Sequence, residues 1–199
     1  REGFNLSVRL FDKNVPIHLP FLGECNIYNA LAAMATGCSL GIEPDNIKAG
    51  LRNTKLLPNR YEITKHGGAT IINDSYNANP RSMQEALKTL TNYQCEGRRF
   101  FVMGDMLELG DLAELAHMKL GTDITKYPID YLVAVGELSA HAVKSAIASG
   151  MDKKQTATAS EHGCAVAFIK KHILPGDCLL VKGSRGSRME EVVERLTAC

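Results

Sequence analysis

A chain of 199 residues, 45% hydrophobic and 23% charged, has the size and composition of an ordinary globular protein of one large or two small domains. Its 23 basic and 22 acidic residues leave a net charge of +1, which gives no sign of a nucleic-acid or membrane partner. Six cysteines (Cys25, Cys38, Cys95, Cys164, Cys178 and Cys199) form no C-x-x-C pair and no zinc spacing, so they read as reduced cytoplasmic thiols, four of them in apolar neighbourhoods.

The chain opens on Arg1 and enters strand alternation at once, which reads as a piece of something longer. No leader and no apolar run near about 18 residues appears, so the expectation is a chain that is neither secreted nor membrane-spanning by itself. Residues 4–11 and 15–19 alternate apolar and polar side chains around a turn at Asp12-Lys13-Asn14, the pattern of a hairpin. The Ala-rich stretch 27–35 predicts a helix whose stop is flanked by Gly37 and Gly41, its small residues packed closely on a neighbour. A second helix is expected over 44–51, with Pro44 in its first turn. Residues 54–58 read as a linker, because the part before it is too small and open-ended for a domain while the part after it has a typical domain size.

Beyond the linker, strands at 60–64 and 69–73 flank a Gly67-Gly68 turn, and a helix runs from Pro80 to about Tyr93. Strands at 99–103, 131–135, 155–159 and 178–181 then alternate with helices at 111–125, 138–149, 161–171 and 189–196. Continuous apolar strands alternating with amphipathic helices predict an α/β fold: a Rossmann-like, mainly parallel sheet with helices on both faces.

Four polar clusters follow strand ends, at 73–79, 104–108, 136–137 and 182–188, and in a doubly wound sheet these line one crevice. The first is either a site or simply a well-capped turn. In the last, Lys182, Arg185 and Arg188 with Ser184 and Ser187 suit a carboxylate or phosphate, and Gly183 and Gly186 would let the backbone approach it. A solvated basic loop is the alternative. Neither G-x-x-x-x-G-K-[ST] nor G-x-G-x-x-G occurs, so the chain does not cradle a triphosphate in the usual way by itself. His18, His66, His117, His141, His162 and His172 have no ligand spacing and read as surface or helix-face residues, and no metal site is expected here. Asp105 and Glu108 suit acid–base or metal work, or a helix cap. Ser75, Ser184 and Ser187 lack a G-x-S-x-G setting, which argues against a hydrolase.

The segments Asn73-Asp74-Ser75-Tyr76-Asn77-Ala78-Asn79-Pro80-Arg81-Ser82-Met83, Met103-Gly104-Asp105-Met106-Leu107-Glu108-Leu109-Gly110 and Val181-Lys182-Gly183-Ser184-Arg185-Gly186-Ser187-Arg188-Met189-Glu190 resemble, in order and spacing, the Mur ligases. Gly23-Glu24-Cys25-Asn26-Ile27-Tyr28-Asn29-Ala30-Leu31-Ala32-Ala33 is similar to that family's G-x-H-N-x-x-N-A-L-A-A helix, with Cys25 in place of the His. A thiol lacks imidazole's two-nitrogen hydrogen bonding, so no role is carried over for that position.

The resemblance implies that residues 1–56 are the C-terminal part of a central ATP-binding domain and 57–199 the Rossmann-like C-terminal domain. It implies ATP-dependent amide formation through an acyl phosphate, with D-alanyl-D-alanine joined to UDP-N-acetylmuramoyl-tripeptide by a cytoplasmic monomer. ATP and Mg2+ are the implied cofactors, the phosphate loop, the metal ligands and a modified lysine lying upstream. By motif, Asn26 and Asn29 would sit near adenine, Arg60 would reach the phosphates and Asp74 the ribose as the C-terminal domain closes. Asn77, Lys182, Ser184 and Arg185 are the candidates for the dipeptide, with a cation for its carboxylate. The alternatives are another Mur or folylpolyglutamate-type ligase, or a non-catalytic binding module.

Overall fold

Phe4, Leu6, Val8 and Leu10 alternate with polar residues, the period of a strand with one apolar face, and form β1 (Phe4–Leu10). The computed structural model describes residues 3–10 and 13–198, in two compact units, Arg1–Leu57 and Pro58–Cys199. β1 pairs antiparallel with β2 (Lys13–Leu19), Phe4 opposite Leu19 and Leu10 opposite Lys13. Phe11 and Asp12, the end of the expected strand and part of its turn, lie outside the described residues, as does Cys199.

Two helices complete this unit: α1 (Cys25–Ser39), which ends between the two flanking glycines, and α2 (Pro44–Asn53), with Pro44 in its first turn. A Cβ on Gly37 would lie 2.9 Å from Ile47 Cδ1, so this glycine lets α1 approach α2. Ala30 and Met34 of α1 pack with Ile17, Leu19, Ile47 and Leu51. Ala32, Ala33 and Ala35, expected in close packing on a neighbour, meet none among the described residues.

The second unit is built on a six-stranded sheet. Its strands are β3 (Glu62–His66), β4 (Ala69–Asp74), β5 (Arg99–Gly104), β6 (Tyr131–Val135), β7 (Thr156–Ala159) and β8 (Cys178–Lys182). Their spatial order is β3-β4-β8-β5-β6-β7, with every neighbouring pair parallel except β3–β4, which the Gly67-Gly68 turn folds back antiparallel. The last strand therefore enters the middle of the sheet, Leu180 lying opposite both Ile72 of β4 and Phe101 of β5.

Both faces are covered, which is why the strands are apolar throughout rather than alternating. α6 (His162–His172) and α7 (Glu190–Thr197) supply Ala165, Ile169, Val192 and Leu196 to a cluster with Phe100, Val102, Leu179 and Val181. The alternate strand residues, Ile72, Phe101, Met103 and Leu180, are also buried, as are Met83, Leu87 and Leu90 of α3 (Pro80–Asn92), Ile124 of α4 (Ala113–Ile124) and Ala146 of α5 (Ser139–Ala148). α4 and α5 cross at Gly121, where a Cβ would lie 2.0 Å from the Ala142 carbonyl oxygen.

Of the five described cysteines only Cys178 is buried, while Cys25 and Cys164 are exposed, so fewer thiols act as core hydrophobes than their neighbours in sequence suggest. Burial, with the Cys95 thiol hydrogen-bonded beside it, pushes the Cys178 thiol up to about 12. Among the described residues no helix is long and apolar enough to cross a membrane.

Candidate functional site

Because β4, β8, β5 and β6 are parallel neighbours, their carboxyl ends open on one edge of the sheet, and three of the loops that follow are stitched together there. The Ser184 backbone N–H donates to Asp105 O (3.0 Å), and the Leu107 N–H donates to Ser184 Oγ (2.9 Å). Ser184 Oγ in turn donates to Ala78 O (3.2 Å), and Ser187 Oγ donates to Asp105 O (3.1 Å). The fourth loop joins through Asp105, whose Oδ1 accepts from the Ser139 N–H at 2.7 Å and so caps the start of α5.

Under this lattice lies a buried ion pair. Lys182 Nζ sits 2.6 Å from Asp74 Oδ2 and also donates to Asn77 O at 2.9 Å, both side chains being almost wholly shielded. Burial pushes the Asp74 carboxyl above the usual carboxylate range, against the pull of Lys182, Arg60 and a hydrogen bond from the Tyr61 backbone N–H.

Arg60 lies on the open side, exposed, with its guanidinium carbon 4.2 Å from the centre of the Tyr76 ring. It stands between two residues held at left-handed dihedrals, Asn59 (φ 62°) and Tyr61 (φ 47°). Asn73 Nδ2 donates to Asn59 Oδ1 (2.9 Å), Asn73 Oδ1 accepts from the Ser75 hydroxyl (2.7 Å), and Asn59 O accepts from the Tyr76 N–H (3.0 Å). Asn79 caps α3 by a reciprocal pair with Ser82, and Pro80 takes the first helical position. The 73–79 loop is thus both a capped turn and a rigid platform, and its two readings need not compete.

The dipeptide candidates fall into two classes. Asn77 is exposed with its Oδ1 accepting from the Ala78 N–H, and Arg185 is exposed with one surface ion pair to Glu190 at 2.7 Å. Lys182 and Ser184 are buried and bonded to their own chain. Arg188 pairs with Glu191 at 2.7 Å, so all three cations of the basic loop have internal partners. The loop glycines are filled from within: a Cβ on Gly183 would lie 2.5 Å from Met189 Cγ, and one on Gly186 2.7 Å from Leu107 Cδ1. They serve close packing of the chain on itself.

In the first unit, Asn26 Nδ2 donates to Leu22 O (2.7 Å) and Asn29 Nδ2 to Asn26 Oδ1 (3.3 Å), so the two asparagines share the first turn of α1. Asp105 and Glu108 do not converge: the first caps α5, and the second is exposed with φ 63°. Among the described residues no three His, Cys, Asp or Glu side chains gather as a metal site.

His117, expected on a surface or helix face, is fully buried. The Met106 N–H donates to its Nε2 (2.9 Å) and its Nδ1 lies 2.7 Å from Ala113 O, an arrangement that requires neutral imidazole with the proton on Nδ1. Asn59, Asn73 and His117 are residues that sequence reasoning did not single out as site builders, whereas Asp105, read as an acid–base, metal or cap residue, serves as the cap. Asn73 lay in the 73–79 cluster, but Asn59 sat beside the linker, outside every polar cluster, and His117 gave no signal.

The family model for the Mur ligase glutamate ligase domain matches residues 59–185, from the first left-handed asparagine to the exposed arginine of the last loop. The chain belongs to the Mur ligase family. Its Bacillus subtilis relative, UDP-N-acetylmuramoyl-tripeptide–D-alanyl-D-alanine ligase, is 37% identical over 98% of this chain. The chain spans 42% of that relative's length. Among solved structures, MurF from Acinetobacter baumannii superposes with a TM-score of 0.87 at 31% identity, over 98% of this chain and 43% of that one. MurF from Thermotoga maritima, solved in complex with ADP, shares the Mur ligase fold at a TM-score of 0.81 and 22% identity, over 97% of this chain and 43% of that one.

Proposed function

We propose that this chain is the acceptor-side part of a longer ATP-dependent ligase that joins D-alanyl-D-alanine to UDP-N-acetylmuramoyl-tripeptide, a step of peptidoglycan precursor synthesis in the cytoplasm. The observation that carries the reading is the 37% identity, sustained over 98% of the chain, to a Bacillus subtilis enzyme that bears that activity as its name. The ADP in the Thermotoga maritima MurF complex supports a nucleoside triphosphate as the co-substrate.

In the proposed reaction the tripeptide carboxylate takes the terminal phosphoryl group of ATP, and the dipeptide amine attacks the resulting acyl phosphate. The new C–N bond forms as the C–O bond to phosphate breaks, releasing inorganic phosphate. Arg60, exposed and lying over the Tyr76 ring, supplies the positive charge that would neutralise phosphate oxygens as their charge grows. The motif gives the ribose hydroxyls to Asp74, which is buried on Lys182 here, so that contact requires the pair to open. Asn77 and Arg185 are the dipeptide contacts, Arg185 exchanging a surface partner of small worth for the ligand's carboxylate. Lys182 and Ser184 act one layer behind them, holding the loops that carry Asn77 and Leu107. In this reading the magnesium ligands belong to another part of the longer protein.

The test is ADP release by the full-length protein. It should require the tripeptide nucleotide and D-alanyl-D-alanine together and yield one ADP per amide formed. Release that is indifferent to the dipeptide would refute the reading.

A further inference from the structure

The geometry points to Asn59 as a positioning residue for Arg60, held in place by Asn73. This inference rests on the proposed role of Arg60 toward nucleotide phosphate and adds the device that aims it.

The Arg60 side chain is exposed and lies over the exposed Tyr76 ring. Its direction depends on its backbone, and that backbone is unusual on both sides. Asn59 at φ 62° and Tyr61 at φ 47° each occupy the left-handed region, which Asn tolerates and a bulky aromatic rarely does. Such a conformation persists only where surrounding structure over-determines it.

The restraints are visible on each flank. On one side, Asn59 gives its side-chain oxygen to Asn73 Nδ2 at 2.9 Å and its backbone oxygen to the Tyr76 N–H at 3.0 Å. Asn73 is itself buried at the end of β4, with its own oxygen occupied by the Ser75 N–H and hydroxyl. On the other side, the Tyr61 side chain is buried and its backbone N–H bonds the Asp74 carboxylate. Arg60 is thus bracketed by two clamped left-handed residues. Tyr76, over which its guanidinium lies, is bonded to the same Asn59 carbonyl, so one asparagine fixes both the cation and the ring beneath it.

A packing role alone would not need this. Glycine at 59 would take the same dihedral with less strain, whereas a plain L-residue would resist it. The separation between Gly and Ala at this position is therefore the signature of aiming.

The test is the affinity of the full-length protein for a non-hydrolysable ATP analogue, measured by calorimetry on wild type, Asn59→Ala, Asn59→Gly, Arg60→Ala and the Asn59→Ala/Arg60→Ala double variant. Asn59→Ala, which loses both the Asn73 bond and the easy left-handed dihedral, is expected to weaken binding about tenfold, while Asn59→Gly, which keeps the dihedral but loses the bond, weakens it about threefold. The double variant should bind no more weakly than Arg60→Ala alone, because the asparagine acts through the arginine. Melting scans check folding, and Asn59→Ser, expected to weaken binding as Ala does, replaces Ala if that variant unfolds. Wild-type affinity in the Ala or Ser variant, equal weakening by Gly and Ala, or a full Asn59 penalty in the Arg60→Ala background would each overturn the inference. Wild type without nucleotide binding would overturn it together with the proposed function. Variants ordered as expected, in a protein that forms no amide product, would sink the proposed function alone.

Discussion

Removing the ammonium of Lys182 while keeping its bulk, Lys182→Met, isolates the buried ion pair beneath the loops. At 2.6 Å and with side chains 3% and 4% exposed, the pair carries about 6 kcal/mol of gross attraction at an effective dielectric near 20. Most of that offsets the cost of taking both charges out of water, so the intact pair adds little net stability. Removing one partner is different, because Asp74 is left buried without its nearest cation and must keep its charge at a desolvation cost or take up a proton, while the Asn77 carbonyl loses its donor. The expected loss is about 3–5 kcal/mol, a large fraction of the roughly 5–15 kcal/mol that holds a typical domain together. Guanidinium unfolding at neutral pH measures it as a shift of midpoint at constant slope. The Asp74→Asn/Lys182→Met double variant should recover most of the loss, since the uncompensated charge is gone. If Asp74 also meets the nucleotide, that stable double variant will still be a poor ligase. A loss below about 1 kcal/mol for Lys182→Met would refute the argument, because a breach of a shielded pair is not that mild.

Two further expectations follow from other buried groups. Burial pushes the Asp177 carboxyl up, but hydrogen bonds from the Arg98 side chain and from the backbone N–H groups of Arg98 and Leu174 outweigh it and hold the group below the usual carboxylate range. With the folded value below the unfolded one, Asp177 stabilises the protein above pH about 4 and that share is lost as pH falls through the folded value. Asp177→Asn should therefore cost about 1.5–3 kcal/mol at neutral pH and flatten the acid limb of a stability–pH curve; an unchanged acid limb would exclude the group. At the other end of the sheet, His117→Ala leaves the Met106 N–H without its acceptor and should cost at least about 1–3 kcal/mol in chemical unfolding. His117→Gln, which can return an acceptor oxygen, should lose less, and equal losses would remove the hydrogen bond from the account.

The elements of the fold were legible because period and punctuation are local. Apolar runs at 99–103, 131–135 and 178–181 could only be strands covered on both sides, and Gly67-Gly68 announced the antiparallel edge. Strand order was not legible, since nothing near residues 178–182 says that the last strand inserts between β4 and β5. That insertion decides the chemistry of the basic loop. Lys182 and Ser184 look like free ligand-binding groups in a linear reading, and become internal partners once Asp74, Ala78 and Asp105 are brought alongside. The same reasoning explains His117, whose acceptor role exists only because the Gly104–Leu109 backbone folds over α4. Arg60 and Asp74 are proposed from the motif alone, and the left-handed residues that flank Arg60 belong to a tertiary clamp between Asn59 and Asn73, fourteen residues apart.

The acceptor panel is the most direct test of the central claim. Full-length protein is given ATP and UDP-N-acetylmuramoyl-tripeptide with D-alanyl-D-alanine, L-alanine, D-glutamate or a diamino acid, and the amide product is identified by mass. The account predicts that D-alanyl-D-alanine is consumed in preference to every single amino acid, and that Arg185→Ala raises its KM with little change in the KM for ATP. Preferential ligation of any single amino acid would contradict it, leaving the family membership intact and the acceptor wrong.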